Sequence, residues 1–333
     1  NGFLIFLAIF LMLALAVLYR NNGGGTNDAF ETTPFCSADG TCHEKPTKPS
    51  PRTIYSAKSK EQYDLWWNAH AILNQTAQEF ASRLESAREE RKTTTTGNKR
   101  PLILLGDSIT ESWIGTNMQL EVPRTKGIYP EVLQQTFLEP KYNLDVLVAA
   151  IGGDQTQHLL YRLEHGQLLP QYGDDPESIF VVLIGTNNLG AGELPVPTTE
   201  GIVAVVQYLL DHTSSDSHIL LLKLLPRQDN HRLVNICPPR CDSKGKPFSS
   251  FQPAIQKVNQ ALEELYSPDD NDDGHQRVTL ADCGQIFVKE GDDGMVNEGL
   301  MPDLLHPNTE GMKLLGHCIL AALADNGLDL SAA

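Results

Sequence analysis

The sequence predicts an α/β protein in which five parallel strands form a sheet between two layers of helices. Two observations predict it: short apolar runs recur along the chain, and amphipathic helical patterns separate them. Strands this apolar are buried on both faces, as in a three-layer α/β/α sandwich of the flavodoxin-like kind. The predicted strands are Leu102–Leu105, Val146–Ile151, Ile179–Ile184, His218–Leu225 and Val278–Ala281. The predicted helices that follow them are Tyr129–Phe137, Gln155–His165, Thr199–Leu210, Pro253–Tyr266 and Thr309–Ala324.

An apolar run, Phe3–Tyr19, opens the chain and ends at Arg20. As a helix it would span roughly 25 Å, slightly less than a hydrocarbon core. We expect a signal anchor here. A cleaved signal peptide, cut after Ala14-Leu15-Ala16, stays open as the alternative. Both assignments predict a secretory-pathway protein whose folded domain is luminal or extracellular. If the segment is a signal anchor, a single pass through the membrane holds the folded domain there.

The next segment, residues 21–60, is rich in Gly, Thr, Pro and Lys without hydrophobic periodicity, which predicts a flexible stalk. A helical stripe over Glu61–Lys92 then opens the folded domain, which we expect to span residues 61–330. Within that domain, Gln228–Phe251 is long and Pro-rich, and it predicts a loop insertion after the fourth strand. Residues 1–20, before the stalk, are expected to form the signal anchor or signal peptide.

Charge and cysteine content limit the function classes. The formal net charge is −16, and no Lys/Arg run is present, so we do not expect a nucleic-acid partner. Six cysteines fit an oxidising compartment. Cys36 with Cys42, and Cys237 with Cys241, could each close a short disulfide loop, whereas Cys283 and Cys318 lie in apolar segments and are expected to be buried thiols. Their spacing does not match a zinc site.

Polar residues follow most of the predicted strands. Ligands of open parallel sheets bind beyond the carboxyl ends of the strands, so these residues are expected to converge on one site. They are Gly106-Asp107-Ser108 after the first strand, Gly152-Gly153-Asp154 after the second, Gly185-Thr186-Asn187-Asn188 after the third, and Asp303 with His306 after the last.

These four segments, in this order, resemble the four sequence blocks of the SGNH (GDSL-type) hydrolase superfamily. Ile151–His158 and Gly185–Asn188 are most similar to the catalytic subunits of the intracellular platelet-activating-factor acetylhydrolases. The resemblance covers about Trp66 to Ala324 and implies the SGNH hydrolase variant of the flavodoxin-like fold. The apolar N-terminus with its stalk and the Cys-bearing insertion depart from it.

The resemblance implies a catalytic triad of Ser108, His306 and Asp303. The Ser108 hydroxyl is a weak nucleophile that needs a base within hydrogen-bond reach, and His306 is expected to be that base. Asp303, three residues before His306, would hold the imidazole tautomer and stabilise the imidazolium.

An oxyanion hole is expected from the backbone N–H groups of Ser108 and Gly153 and the side-chain amide of Asn187. Two neighbours are expected to support it. Asp107 would stabilise the turn rather than act as a second acid, and Asn188 would brace its loop rather than contact substrate.

The predicted function is therefore a serine esterase for a short acyl group, such as acetyl, on a lipid or carbohydrate. An acyltransferase that moves acetyl to a glycan hydroxyl is the alternative, and an inactive binding domain is a third. The chemistry needs no cofactor or metal, and the sequence contains no phosphate loop or dinucleotide fingerprint. The oligomeric state is left open, with a homodimer among the options.

Overall fold

Five parallel strands form the central sheet of the protein. They are β1 Arg100–Gly106, β2 Leu144–Ala150, β3 Ile179–Leu183, β4 His218–Leu222 and β5 Val278–Ala281. The computed structural model describes residues 35–57, 59–91, 99–123, 125–266, 277–291 and 294–331. The strand order is β2-β1-β3-β4-β5, and every pairing is parallel. This confirms the predicted flavodoxin-like α/β sandwich.

Nine α-helices of the described residues surround the sheet. They are α1 Lys60–Arg91, α2 Ser108–Glu111, α3 Ile128–Phe137, α4 Thr156–Arg162, α5 Pro170–Gly173, α6 Thr186–Ala191, α7 Pro195–His212, α8 Gln252–Leu265 and α9 Thr309–Asp325. The predicted helix over Gln155–His165 ends earlier, at Arg162, and a turn over Leu163–Gln167 follows it. Gly166 in that turn has φ 109°, which does not continue a helix.

The sheet separates two hydrophobic cores. Side chains of β1 alternate between them, because successive residues of a strand point to opposite faces. Ile103 and Leu105 pack with α1, α4, α7 and α8, whereas Leu102 and Leu104 pack with α3 and α9. The carboxyl ends of the strands are thereby held at one edge of the domain, where a site can form.

The segment before α1 differs from the predicted stalk. From Phe35 to Ala57 it packs against the domain, and the Glu44 carboxylate in it is buried. Glu44 accepts a 2.8 Å hydrogen bond from His158 on α4, and the Ser50 N–H donates to Gln157 O at 3.1 Å. The prediction of a flexible stalk is wrong for these residues because a buried carboxylate and backbone hydrogen bonds attach them to α4.

The cysteines of the described residues form three disulfides. Cys36–Cys42 and Cys237–Cys241 are the two short loops considered from the sequence. The expectation of buried thiols at Cys283 and Cys318 is wrong, because these cysteines are joined to each other. Cys283 follows β5 and Cys318 lies on α9, and their separation of 35 residues gives no local signal of pairing.

The apolar run Phe3–Tyr19 lies outside the described residues, as does the beginning of the predicted stalk. In the part of the chain that the structure describes, every helix is too short or too polar to span a bilayer.

A buried ion cluster joins the strand ends to each other. The fully buried Asp154 carboxylate accepts hydrogen bonds from Arg162 Nε and Trp66 Nε1, both at 2.7 Å. Arg162 also donates to Gly106 O at 3.1 Å and to Ala149 O at 3.2 Å. The Arg162 guanidinium therefore connects the last residue of β1, the end of β2 and the loop that follows β2.

We predict that Asp154→Ala lowers the free energy of unfolding by about 3–5 kcal/mol, because it leaves a buried guanidinium without its counter-ion. Denaturant unfolding of both proteins measures the difference. Asp145→Ala is the matched control: Asp145 pairs with Arg83 at the surface, and such pairs contribute less than about 1 kcal/mol. Equal losses in the two variants would contradict the role given to Asp154.

Candidate active site

Ser108 stands at the turn between β1 and α2. Its neighbour Asp107 caps the helix by accepting a 3.0 Å hydrogen bond from Ile109 N. Gly106 closes the strand, and a Cβ atom there would lie 2.5 Å from Leu183 O and 2.3 Å from Thr110 Oγ1. Only glycine fits between these atoms, which allows the chain to turn sharply and present the Ser108 hydroxyl at the sheet edge.

Ser108, His306 and Asp303 form one continuous hydrogen-bonded chain. Ser108 Oγ lies 2.9 Å from His306 Nε2, and His306 Nδ1 lies 2.7 Å from Asp303 Oδ2. Asp303 Oδ1 also accepts from the backbone N–H groups of Leu305 and His306, at 3.1 and 2.7 Å. The turn is tight, with Leu304 at φ 63°, so that the carboxylate folds back on the imidazole three residues later.

The electrostatics of this chain favour an ionised Asp303. Partial burial by itself raises the pKa of the carboxyl, but the hydrogen bonds from His306 outweigh burial and hold that pKa well below its ordinary value. An ionised Asp303 accepts a hydrogen bond from the Nδ1–H group of His306, which leaves Nε2 as the acceptor for the Ser108 hydroxyl.

The expected oxyanion donors lie at the same edge. Gly153 has φ 79°, and its backbone N–H donates to none of the described residues. Asn187 Nδ2 donates to Asp107 Oδ2 at 3.1 Å and to Asp154 O at 3.0 Å. The amide of Asn187 is therefore anchored between two strand ends, and both of its hydrogens have acceptors before a substrate binds.

Two buried carboxyl groups support the turn. Burial raises the pKa of Asp107 to about 7, so near neutral pH it is partly protonated. Burial also raises the pKa of Glu111, which accepts from Gly152 N at 2.6 Å and from Met118 N at 2.8 Å. Glu111 thus fixes the loop before Gly153. Glu111 was not predicted as a site residue, although its place three residues after Ser108 in a short helix is a usable signal.

Asn188 is fully buried and braces the loop after β3. Its Oδ1 accepts from Thr156 N at 3.1 Å, and its Nδ2 donates to Thr156 Oγ1 at 3.2 Å and Gln157 Oε1 at 3.3 Å. These contacts tie the third strand end to α4, away from the Ser108 hydroxyl.

A cleft of about 790 Å³ contains Ser108 and His306. Its walls include His231 and Asn235 of the insertion after β4, and Arg52 and Tyr55 of the segment before α1. Neither wall was predicted, because one segment was assigned to a stalk and the other to a loop. Pocket residues supplied by irregular segments have no periodicity that would identify them.

One group of side chains in the described residues has the spacing of metal ligands, namely Cys36, Cys42 and Glu193. The two sulfurs are bonded to each other, and thiolates rather than disulfides ligate metals. These three side chains are separate from the Ser108–His306 pair, and with their sulfurs joined they do not form a metal site.

Curated relatives match the middle of the chain. Subunit alpha1 of platelet-activating factor acetylhydrolase IB from Homo sapiens is 31% identical over 163 residues, which cover 49% of this chain and 57% of the relative. The Rattus norvegicus protein of the same name is 40% identical over 163 residues, covering 49% of this chain and 56% of the relative. The matched region thus spans little more than half the length of these relatives.

Solved structures with similar folds include a lipase/acylhydrolase from Enterococcus faecalis, with 19% sequence identity and a TM-score of 0.46. That match covers 70% of this chain and 100% of the other. A GDSL-like lipase from Bacteroides thetaiotaomicron matches with 15% identity and a TM-score of 0.47, covering 74% of this chain and 98% of the other.

The model of the GDSL-like Lipase/Acylhydrolase family matches residues 104–314, which is more than half of the chain. The matched region begins in β1, just before Ser108, and ends in α9, just after His306. The chain therefore belongs to the GDSL-like lipase/acylhydrolase family of ester-bond hydrolases.

Proposed function

We propose that this chain is a serine esterase that hydrolyses a short-acyl ester through Ser108, His306 and Asp303. One observation carries the proposal: the hydrogen-bonded chain from Ser108 Oγ through both nitrogens of His306 to Asp303, with distances of 2.9 and 2.7 Å. A nucleophile, a base and a group that orients the base are the parts that acyl transfer through a serine requires.

In the acylation step, His306 Nε2 takes the Ser108 hydroxyl proton while Oγ attacks the ester carbonyl carbon. The tetrahedral intermediate collapses when His306 returns that proton to the leaving alcohol oxygen. His306 Nε2 then takes a proton from water, which attacks the acyl carbon. The bond from that carbon to Ser108 Oγ breaks, the acid is released, and His306 returns the proton to Oγ. Asp303 stays ionised throughout and stabilises the imidazolium that forms twice in the cycle.

The oxyanion of the intermediate needs donors, and we assign the N–H groups of Ser108 and Gly153 and the amide of Asn187 to it. Asn187 must exchange one acceptor, Asp107 or Asp154 O, for the oxyanion. The raised pKa of Asp107 helps, because a protonated carboxyl accepts a hydrogen bond more weakly than a carboxylate.

The short acyl group is supported by the curated relatives, which are named as acetylhydrolase subunits. Its alcohol partner is a lipid or a carbohydrate in this proposal. Release of acid into water without any added acceptor separates hydrolysis from the transfer of an acetyl group to a glycan.

We predict that Ser108→Ala lowers kcat for para-nitrophenyl acetate by about 10⁴–10⁶, as for other triad nucleophiles. Steady-state kinetics with equal amounts of folded protein measure it. Ser82→Ala is the control, since Ser82 lies on the exposed face of α1, where its hydroxyl donates to the Gln78 carbonyl. A Ser108→Ala enzyme that keeps a tenth of the activity would contradict the mechanism.

Asn187→Ala is predicted to lower kcat by about 10²–10³ with little change in KM, because the amide acts mainly on the developing oxyanion. Asn187→Asp, which has the same size but lacks the N–H donors, should lose at least as much. If KM rises while kcat stays constant in either variant, Asn187 binds substrate in the ground state instead.

We propose, finally, that the domain matures in the secretory pathway. The three disulfides of the described residues support this, since such bonds persist in oxidising compartments. Mass spectrometry of unreduced peptides from protein taken from its native cells is expected to find Cys237 joined to Cys241, and Cys283 to Cys318. Free thiols at all four positions would contradict this placement.

A further inference from the structure

The cleft around Ser108 differs in charge from the rest of the molecule. The whole chain has 42 acidic and 26 basic residues. Among the described residues that line the cleft, however, there are three arginines and no aspartate or glutamate. A positively charged wall in a protein of negative net charge favours a negatively charged ligand.

Arg52 is the buried arginine of this wall, and the domain holds it tightly. Its side chain is 3% exposed, and Nη2 donates to Gly152 O at 3.1 Å and reaches Asp154 Oδ1 at 3.4 Å. It lies against the expected oxyanion loop, because a Cβ atom on Gly153 would be 2.9 Å from Nη2. Arg52 therefore lines the cleft directly beside the reacting centre.

The hydrogen-bonding capacity of Arg52 is only partly used. Its Nε is enclosed and donates to no described residue, and Nη1 likewise has no hydrogen-bond partner among them. Since Nε is enclosed and Nη1 is not, Nη1 is the donor of Arg52 that a ligand in the cleft can reach.

Arg52 shares its carboxylate partner with a second guanidinium. Its nearest carboxylate, Asp154, makes a shorter contact with Arg162, at 2.7 Å. Glu44 and Glu111 also act on the Arg52 charge from nearby, so what the described residues leave open is a hydrogen-bond acceptor for Nη1 rather than a counter-charge.

Arg227 and Arg232 differ in how many of their N–H donors are free to bind a ligand. Arg227 is buried and committed to Asp229, at 2.5 Å, and to Thr186 O, at 2.7 Å. Arg232 is exposed, and its Nε pairs with Asp229 Oδ2 at 2.8 Å, while neither of its Nη atoms bonds to a described residue. The insertion after β4 thus contributes a second guanidinium to the same cleft.

We propose that the esterase binds an ester that carries a carboxylate or phosphate group, with Arg52 Nη1 as the main ligand of that group and Arg232 as an additional cation. The planar guanidinium fork matches both oxyanions, whose shared chemistry is paired oxygens with a negative charge. This inference rests on the proposed function and adds a substrate class to it. Arg52 lies outside the residues matched to the family, so this chain supplies the ligand from its own N-terminal segment.

Three acetyl esters test the proposal with the full chain: para-acetoxybenzoate, its neutral methyl ester, and para-acetoxyphenyl phosphate. We expect kcat/KM, divided by the rate of each ester with hydroxide, to favour an anionic ester over the neutral one by about tenfold to a hundredfold, the range for one hydrogen bond to a charged group. The two anionic esters distinguish a carboxylate from a phosphate ligand.

Arg52→Gln is expected to remove most of this preference, and Arg232→Gln to lower it severalfold. Arg83→Gln makes the same change of charge on the exposed face of α1 and should leave the preference unchanged. Should Arg52→Gln not fold, Arg52→Lys keeps the charge but loses the fork, and the preference should still fall.

A wild-type enzyme without preference for either anionic ester overturns the inference, as does a folded Arg52 variant that keeps the full preference. In both cases, Ser108-dependent hydrolysis of the neutral ester would leave the proposed function intact. Failure to hydrolyse any of the three esters would instead remove the proposed function and the inference together.

Discussion

The ion pair between Arg162 and Asp154 is the interaction on which the geometry of the site depends. Both side chains are fully buried, and together they contact Gly106 O, Ala149 O and the loop after β2. Burying two charges is costly unless they are paired and their remaining donors are satisfied. Because the pairing is satisfied only when the ends of β1 and β2 lie in one arrangement, it favours the arrangement in which Ser108 and Gly153 line the same cleft.

The sheet supplies the second constraint. Ser108 and His306 are 198 residues apart in sequence, yet their reacting atoms lie 2.9 Å from each other. Parallel strands place all of their carboxyl ends on one edge, so residues from distant segments meet without a long connection. The family's chemistry therefore depends on a rigid scaffold, while the substrate walls are made of irregular segments that can vary independently of it.

The sequence predicted much of this structure for physical reasons. Strands buried on both faces are continuous apolar runs, and the glycine and polar residues after them mark the sheet edge that holds Ser108, Gly153, Asn187 and His306. Contacts of the segment before α1 could not be predicted in the same way. The buried carboxylate of Glu44, the guanidinium of Arg52 and backbone hydrogen bonds such as that from Ser50 attach it to the domain, and none of these produces a periodic pattern. The Cys283–Cys318 disulfide could not be predicted from the sequence either, because its formation depends on how α9 packs.

In the proposed mechanism, Ser108 is a nucleophile that His306 activates. Labelling the folded protein with a fluorophosphonate and mapping the modified peptides by mass spectrometry tests this assignment. One adduct is expected, on Ser108, and His306→Ala should strongly lower the rate at which it forms. Labelling of another residue, or equal labelling of Ser108 with and without His306, would contradict it.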